Sequence, residues 1–141
     1  MGTEMRGYDI IREMGRKRGK LIGNRAALLP EEAESVDVLR QHGYNVELVP
    51  QSRTPGHKTP DFKINSVPFE LKCPHSGKMK SLQHLLKKAA KQSANVVVNL
   101  TYIKDDKGKA LRALLYVLST SRRLKRAIVI ADGEIKLDKT K

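Results

Sequence analysis

Cysteine is almost absent from this chain: Cys73 is alone among 141 residues, which excludes an internal disulfide and any cysteine-rich zinc site. Tryptophan is missing and aromatics make up 4% of residues, so a surface that works by stacking on bases has little to draw on. No wholly apolar run exceeds about five residues, far short of the roughly 20 needed to cross a bilayer, and no insertion into a membrane is expected. Met1 is followed by charged residues with no apolar stretch of the kind that marks a signal peptide. Acidic side chains are the other scarcity. Fifteen Asp and Glu face 28 Lys and Arg, a formal net charge of +13. That balance calls for a polyanionic partner, either nucleic acid or an anionic membrane surface. What remains is a chain that is 39% apolar, long enough to fold around one core.

The charge is unevenly spread. Residues 1–29 are basic, with a cluster at Arg16, Lys17, Arg18 and Lys20. They read as an N-terminal arm or an added helix, with weak helical character over 5–18, ahead of a single domain over 30–141. Residues 30–49 are net acidic. Residues 81–126 carry eleven basic and two acidic side chains, and the main phosphate-attracting surface is expected there. Between these, residues 50–80 hold only two acids, Asp61 and Glu70, among six basic residues. Carboxylates surrounded by lysines need a reason.

Hydrophobic periodicity predicts the elements. A helix over 31–42 starts with Pro30 and three glutamates and stops at Gly43. Ala33, Val36 and Leu39 form its apolar stripe. At about 100° per residue Glu32 falls on that stripe, while Glu31 and Glu34 fall off it. Strands follow at 44–49, 61–64 and 67–73, the last two joined by a hairpin turn at Asn65-Ser66. An amphipathic helix over 81–94 buries Leu82, Leu85, Leu86 and Ala89 and turns Lys87, Lys88 and Lys91 outward. A buried strand covers 95–103. A second helix over 109–125 places Leu111, Leu114, Leu115 and Leu118 inside, and a final hairpin turns at Asp132-Gly133. The order helix-strand-hairpin-helix-strand-helix-hairpin predicts an α/β (α+β) domain, a mixed sheet with a central antiparallel hairpin flanked by helices.

The hairpin carries the chemistry. A two-residue turn at Asn65-Ser66 sets Ile64 against Val67, Phe62 against Phe69 and Asp61 against Glu70. Asp61 and Glu70 then share one face, with Lys72 two residues on. Opposed side chains sit about 4.5–5.5 Å apart at Cβ, where two like charges repel. A divalent cation between them resolves the conflict. Lys72 beside it can orient or deprotonate a water, or stabilise charge developing on a phosphate. Glu32, on the inward face of the preceding helix, completes the set.

Pro60-Asp61 followed by Glu70-Leu71-Lys72 resembles the PD-(D/E)xK motif of the restriction-endonuclease-like nucleases, and the element order over residues 30–100 is similar to their core. More loosely, LPEEAESVDVLRQHGY followed by KTPDFKINSVPFELK resembles the C-terminal nuclease toxin domains of bacterial contact-dependent growth inhibition (CdiA-type) proteins. The first resemblance implies Asp61 and Glu70 as metal-binding acids, Lys72 as the catalytic lysine and Glu32 as the helix carboxylate. It implies a metal-dependent nuclease using Mg²⁺, Mn²⁺ or Zn²⁺ on tRNA, with DNA as the second choice. Substrate contacts are expected from His57 and Lys58 in the loop before the hairpin, and from Lys87, Lys88, Lys91 and Gln92. The second resemblance implies a toxin carried by a larger secreted protein, acting in a bacterial cytoplasm and neutralised by an acidic immunity protein.

Each residue also has a plainer reading. Asp61 after proline begins a turn, and Asp61, Lys63, Glu70 and Lys72 make a salt-bridged sheet face. Glu32 is a helix-start residue, Gln92 a packing residue, and Cys73 a small buried hydrophobe. Two other functions stand beside the leading one. A metal-independent ribonuclease of the barnase-like kind would work through His57, His75, Lys72 or Thr59, and a binding module would hold nucleic acid without cutting it.

Overall fold

The computed structural model describes residues 18–50 and 61–141. The weak helix expected over 5–18, Arg18 apart, lies outside the described residues, as do His57, Lys58 and Thr59. Among the described residues three α-helices and seven strands form one mixed sheet. The order is β1 (Leu21–Ile22), a 3-10 turn (Arg25–Ala27), α1 (Pro30–Gln41), β2 (Val46–Leu48), β3 (Phe62–Ile64), β4 (Val67–Lys72), α2 (Met79–Gln92), β5 (Asn95–Asn99), α3 (Lys107–Thr120), β6 (Arg126–Ala131) and β7 (Glu134–Thr140).

The strands lie in sequence order across the sheet, β1 to β7. β2, β3 and β4 pair antiparallel, as do β6 and β7, while β1–β2, β4–β5 and β5–β6 are parallel. The hairpin register is the expected one, with Phe62 opposite Phe69 and Ile64 opposite Val67. Its physical cause is the turn: Asn65 and Ser66 both take positive φ, 47° and 71°, a type I′ geometry whose twist suits two joined strands. Asn65 Oδ1 also accepts the Asn45 N–H at 3.0 Å, tying the turn to β2.

Local chemistry explains the helix ends. Pro30 opens α1, the Glu32 carboxylate accepts the Leu29 N–H at 2.8 Å, and Gly43 at φ 89° closes it. Asp106 caps α3 by accepting from Gly108 and Lys109. Two differences from the sequence reading concern α3 and β5. Leu115 is 39% exposed, and Val117 takes its place inside, because α3 packs along its 110/114/117/118 stripe, with Leu111 partly buried against the same core. The strand expected to run to 103 ends at Asn99. The Asn99 side chain accepts the Thr101 N–H and turns the chain away.

Two cores sandwich the sheet. On one face α1 packs Val36, Val38 and Leu39 against Phe62, Ile64, Phe69, Leu71, Val97, Ile128 and Ile130. On the other, α2 and α3 pack Leu82, Leu86, Ala89 and Leu114 against Val96, Val98 and Val129. Both crossovers, β4–α2–β5 and β5–α3–β6, step the same way across the sheet, so crossovers of one hand leave both helices on one face. Strand alternation then decides the site. Phe69 and Leu71 face α1, so Glu70 and Lys72, paired with Val96 and Val98, face the α2–α3 side.

Candidate active site

Glu70 stands at the middle of the central strand and is 6% exposed. Its Oε2 lies 3.3 Å from Lys72 Nζ. Its Oε1 is buried and has no hydrogen-bond partner among the described residues. Asp61 sits one residue before β3, where the register carries it opposite Glu70, and its Oδ2 accepts the Leu71 N–H at 2.8 Å. Burial pushes Glu70 up to about 7, the nearby Asp61 carboxylate adds to the push, and Lys72 opposes it. Two acids and a lysine therefore meet on one sheet face, with one buried carboxylate oxygen left over.

This donor set suits a divalent cation of the hard kind. Two carboxylates with an orphaned oxygen supply what Mg²⁺ takes from a protein, since that ion keeps several waters and fills its shell with substrate phosphates. No group of three or more His, Cys, Asp or Glu close enough to hold a metal occurs among the described residues. The oxygen donors match Mg²⁺ or Mn²⁺ better than Zn²⁺, which prefers nitrogen and sulfur.

The other expected residues are distributed as follows. Glu32 is half-buried and lines a cavity of about 400 Å³ together with Asp61, Val36 and Leu71. Neither Glu70 nor Lys72 lines that cavity. Glu32 is also engaged at the helix start through the Leu29 N–H. Gln92 ends α2 with its Oε1 buried and unpartnered among the described residues, and the neighbouring Ser93 Oγ donates to the Pro68 carbonyl, two residues before Glu70. Lys87, Lys88 and Lys91 are exposed on α2. Cys73 is free and half-buried, and burial raises its thiol to about 11, so it is protonated at neutral pH and a poor nucleophile. His75 is paired with Glu31 at 2.6 Å.

Glu34 is a correction: periodicity turned it away from the core, yet it faces inward. Its Oε1 accepts from Asn99 Nδ2 at 3.2 Å and from Tyr102 at 3.4 Å, and Asn99, fully buried, also donates to Ser35 Oγ at 2.8 Å. The signal was Ser35 and Val38, both buried, which widen the inward stripe of α1 beyond Ala33, Val36 and Leu39. This network bolts α1 to the end of β5.

The site makes a pH prediction for the metal-free protein. The folded state holds the Glu70 proton more tightly than the unfolded chain, whose ordinary value is 4.5. Stability therefore falls as pH rises from about 4.5 to about 7 and levels off above, because over that window the folded state binds the extra proton. Glu70→Gln removes the slope and melts higher than wild type at alkaline pH. Thermal melts across this range in a chelator check it; parallel curves for the two proteins would show that Glu70 does not titrate there.

The family model for the contact-dependent growth inhibition CdiA C-terminal domain matches residues 58–135, more than half of the chain. A solved structure with a similar fold is the CdiA-CT/CdiI toxin and immunity complex from Burkholderia pseudomallei, 24% identical, with a TM-score of 0.66, covering 87% of this chain and 100% of that one. At that identity the likeness speaks for the fold. No curated protein is similar enough in sequence to count as a relative. The matched residues run from just before the Asp61–Glu70 hairpin, through α2 and α3, to the first residues of β7, and the chain belongs to the family of contact-dependent growth inhibition CdiA C-terminal domains.

Proposed function

We propose that this domain is a toxin nuclease that hydrolyses phosphodiester bonds, tRNA first and DNA second, at the site formed by Asp61, Glu70 and Lys72. One observation carries the reading: a buried carboxylate with an oxygen unpartnered among the described residues, opposite a second carboxylate and 3.3 Å from a lysine, in a protein of net charge +13. Asp61 and Glu70 hold the divalent cation, which when bound supplies Lewis acidity to a phosphate oxygen and to the attacking water. Lys72, half-buried beside Glu70, orients that water or balances the charge that builds on the phosphate. This arrangement is the one the PD-(D/E)xK resemblance implies.

The similar complex pairs a toxin with an immunity protein. By the same logic this domain takes an acidic immunity protein, since opposite charge speeds association with a basic enzyme. The domain reaches its substrate in the cytoplasm of a bacterial target cell, carried there by a larger protein. No described helix is long and apolar enough to cross a membrane.

Incubation of the protein with total tRNA and with plasmid, with and without added Mg²⁺ or Mn²⁺, tests the reading. Cleavage is expected with metal and is lost in EDTA. Cleavage that persists undiminished in EDTA overturns it in favour of metal-independent acid–base chemistry. Binding without cleavage of either substrate under every metal overturns it in favour of a binding module.

A further inference from the structure

We infer that the furrow between α2 and α3 is a track for the phosphates of a single nucleic-acid strand. This deepens the nuclease reading by naming the surface on which the substrate lies, and it rests on that reading for what brings a strand there. The furrow is a cavity of about 470 Å³. Lys87 and Lys91 line one wall and Arg122 and Arg123 the other, with Ala90 and Val117 among the residues between. Lys87 and Lys91 are one helical turn apart, about 5–6 Å at Cβ, so both can reach one strand.

The convergence of four cations on one cleft, with no carboxylate among its lining residues, distinguishes this surface from an ordinary solvated face. Some basic side chains elsewhere are paired with carboxylates, Arg25 with Asp37, Lys107 with Asp132, Arg126 with Asp138 and Lys136 with Glu134, and others, such as Lys88 and Lys104, are exposed without an ion pair among the described residues. The four around the furrow have no ion-pair partner among the described residues, and no acid lines it. Two of them follow the end of α3 and Lys91 lies in the last turn of α2, where the helix dipole favours cations. That accounts for cations at the helix ends, but not for Lys87 or for the convergence of all four on one cleft.

Shape selects a single strand. Packed helices lie about 8–10 Å apart, and the furrow between them is narrower than a duplex, whose major groove alone is about 12 Å wide. A duplex rests on the helix ridges; one strand enters. Among the described residues no aromatic side chain lines the furrow, so recognition is of phosphates and not of bases. The α2 wall also leads to the active site: Ser93, two residues beyond Lys91, is bonded to Pro68 on the strand that carries Glu70.

The experiment compares Arg122→Glu/Arg123→Glu with Lys104→Glu/Lys109→Glu, an equal charge change at the opposite end of α3. Both are made in Lys72→Ala protein and measured in EDTA, so binding is read without cleavage. The probe is a fluorescent oligonucleotide of about 12 nucleotides, single-stranded or annealed. The furrow variant is expected to weaken single-strand binding tenfold or more and to lower the salt slope by about 1.4, the loss of two phosphate contacts on a single strand. The control is expected to change affinity no more than about twofold, as for loss of general attraction alone. Arg122→Ala/Arg123→Ala, with the same ranking at smaller amplitude, guards against a folding defect. Equal losses in the furrow and control variants overturn the inference and leave only net charge. So does a furrow variant that binds oligonucleotide normally but no longer binds the immunity protein, which assigns the surface to that partner. A duplex effect as large as the single-strand effect overturns the choice of occupant. Failure of the nuclease reading shows instead as absent cleavage with metal in the unmutated protein, a separate measurement.

Discussion

Asp61→Asn and Lys72→Ala will each lower the cleavage rate by on the order of a hundredfold or more, while the fold and most of the affinity for nucleic acid survive. Among the described residues Asp61 is one of two carboxylates in the donor set. Its conversion to an amide leaves Glu70 as the sole charged ligand. Asparagine is the better test than alanine because Asp61 Oδ2 accepts the Leu71 N–H at 2.8 Å. Removing that acceptor would strand a part-buried N–H and cost about 1–3 kcal/mol for a reason unrelated to chemistry. The amide oxygen keeps the bond. Asp61→Asn also removes a like charge beside Glu70, so the metal-free variant should melt no lower than wild type and should gain less from added divalent ions. Lys72→Ala takes away the cation 3.3 Å from Glu70 and the group that balances phosphate charge. Lys88→Ala, exposed on α2, is the control: slightly weaker binding, unchanged chemistry. Rates from single-turnover assays with metal check all three. Wild-type rates in both site variants would remove the site from the mechanism.

Binding to nucleic acid will fall about a thousandfold or more between roughly 50 and 200 mM salt, as expected for about six to ten phosphate contacts. The net charge of +13 understates the local field, because the acids are segregated. The glutamates of α1 lie across the sheet from α2 and α3, whereas residues 81–126 carry eleven cations and two acids. Those two, Asp105 and Asp106, are tied up at the start of α3 with backbone N–H groups. Fluorescence anisotropy across a salt series measures the slope. An affinity that hardly changes over that range would rule out counterion release, and with it the basic surface, as the source of binding.

The hairpin shows why some of this was legible. Two-residue turns leave almost no freedom in register, so Asn65-Ser66 alone decides that Asp61 meets Glu70 and that Lys72 shares their face. The alternation Phe69-Glu70-Leu71-Lys72 then sorts core from site without any knowledge of the helices. Glu34 shows the opposite. Helical periodicity ranks faces by average hydrophobicity, and a glutamate bonded to Asn99 and Tyr102 has no hydrophobic signature. Leu115 failed for a related reason: α3 has more apolar residues than one stripe can hold, and only its contact with α2 and the sheet decides which are buried.

By itself the sequence determined the three helices, the hairpin register, the pairing of Asp61 with Glu70 and the basic character of residues 81–126, because each depends on neighbours along the chain or across one tight turn. The tertiary structure alone decided that Glu70 is buried with an oxygen unpartnered among the described residues, that Glu34 is drawn inward to Asn99, and that Arg122 and Arg123 join Lys87 and Lys91 around one furrow. These depend on contacts between segments about 30 to 65 residues apart. What brings such segments together is the burial of two sheet faces, an energy shared by the whole core and written in no single stretch of it.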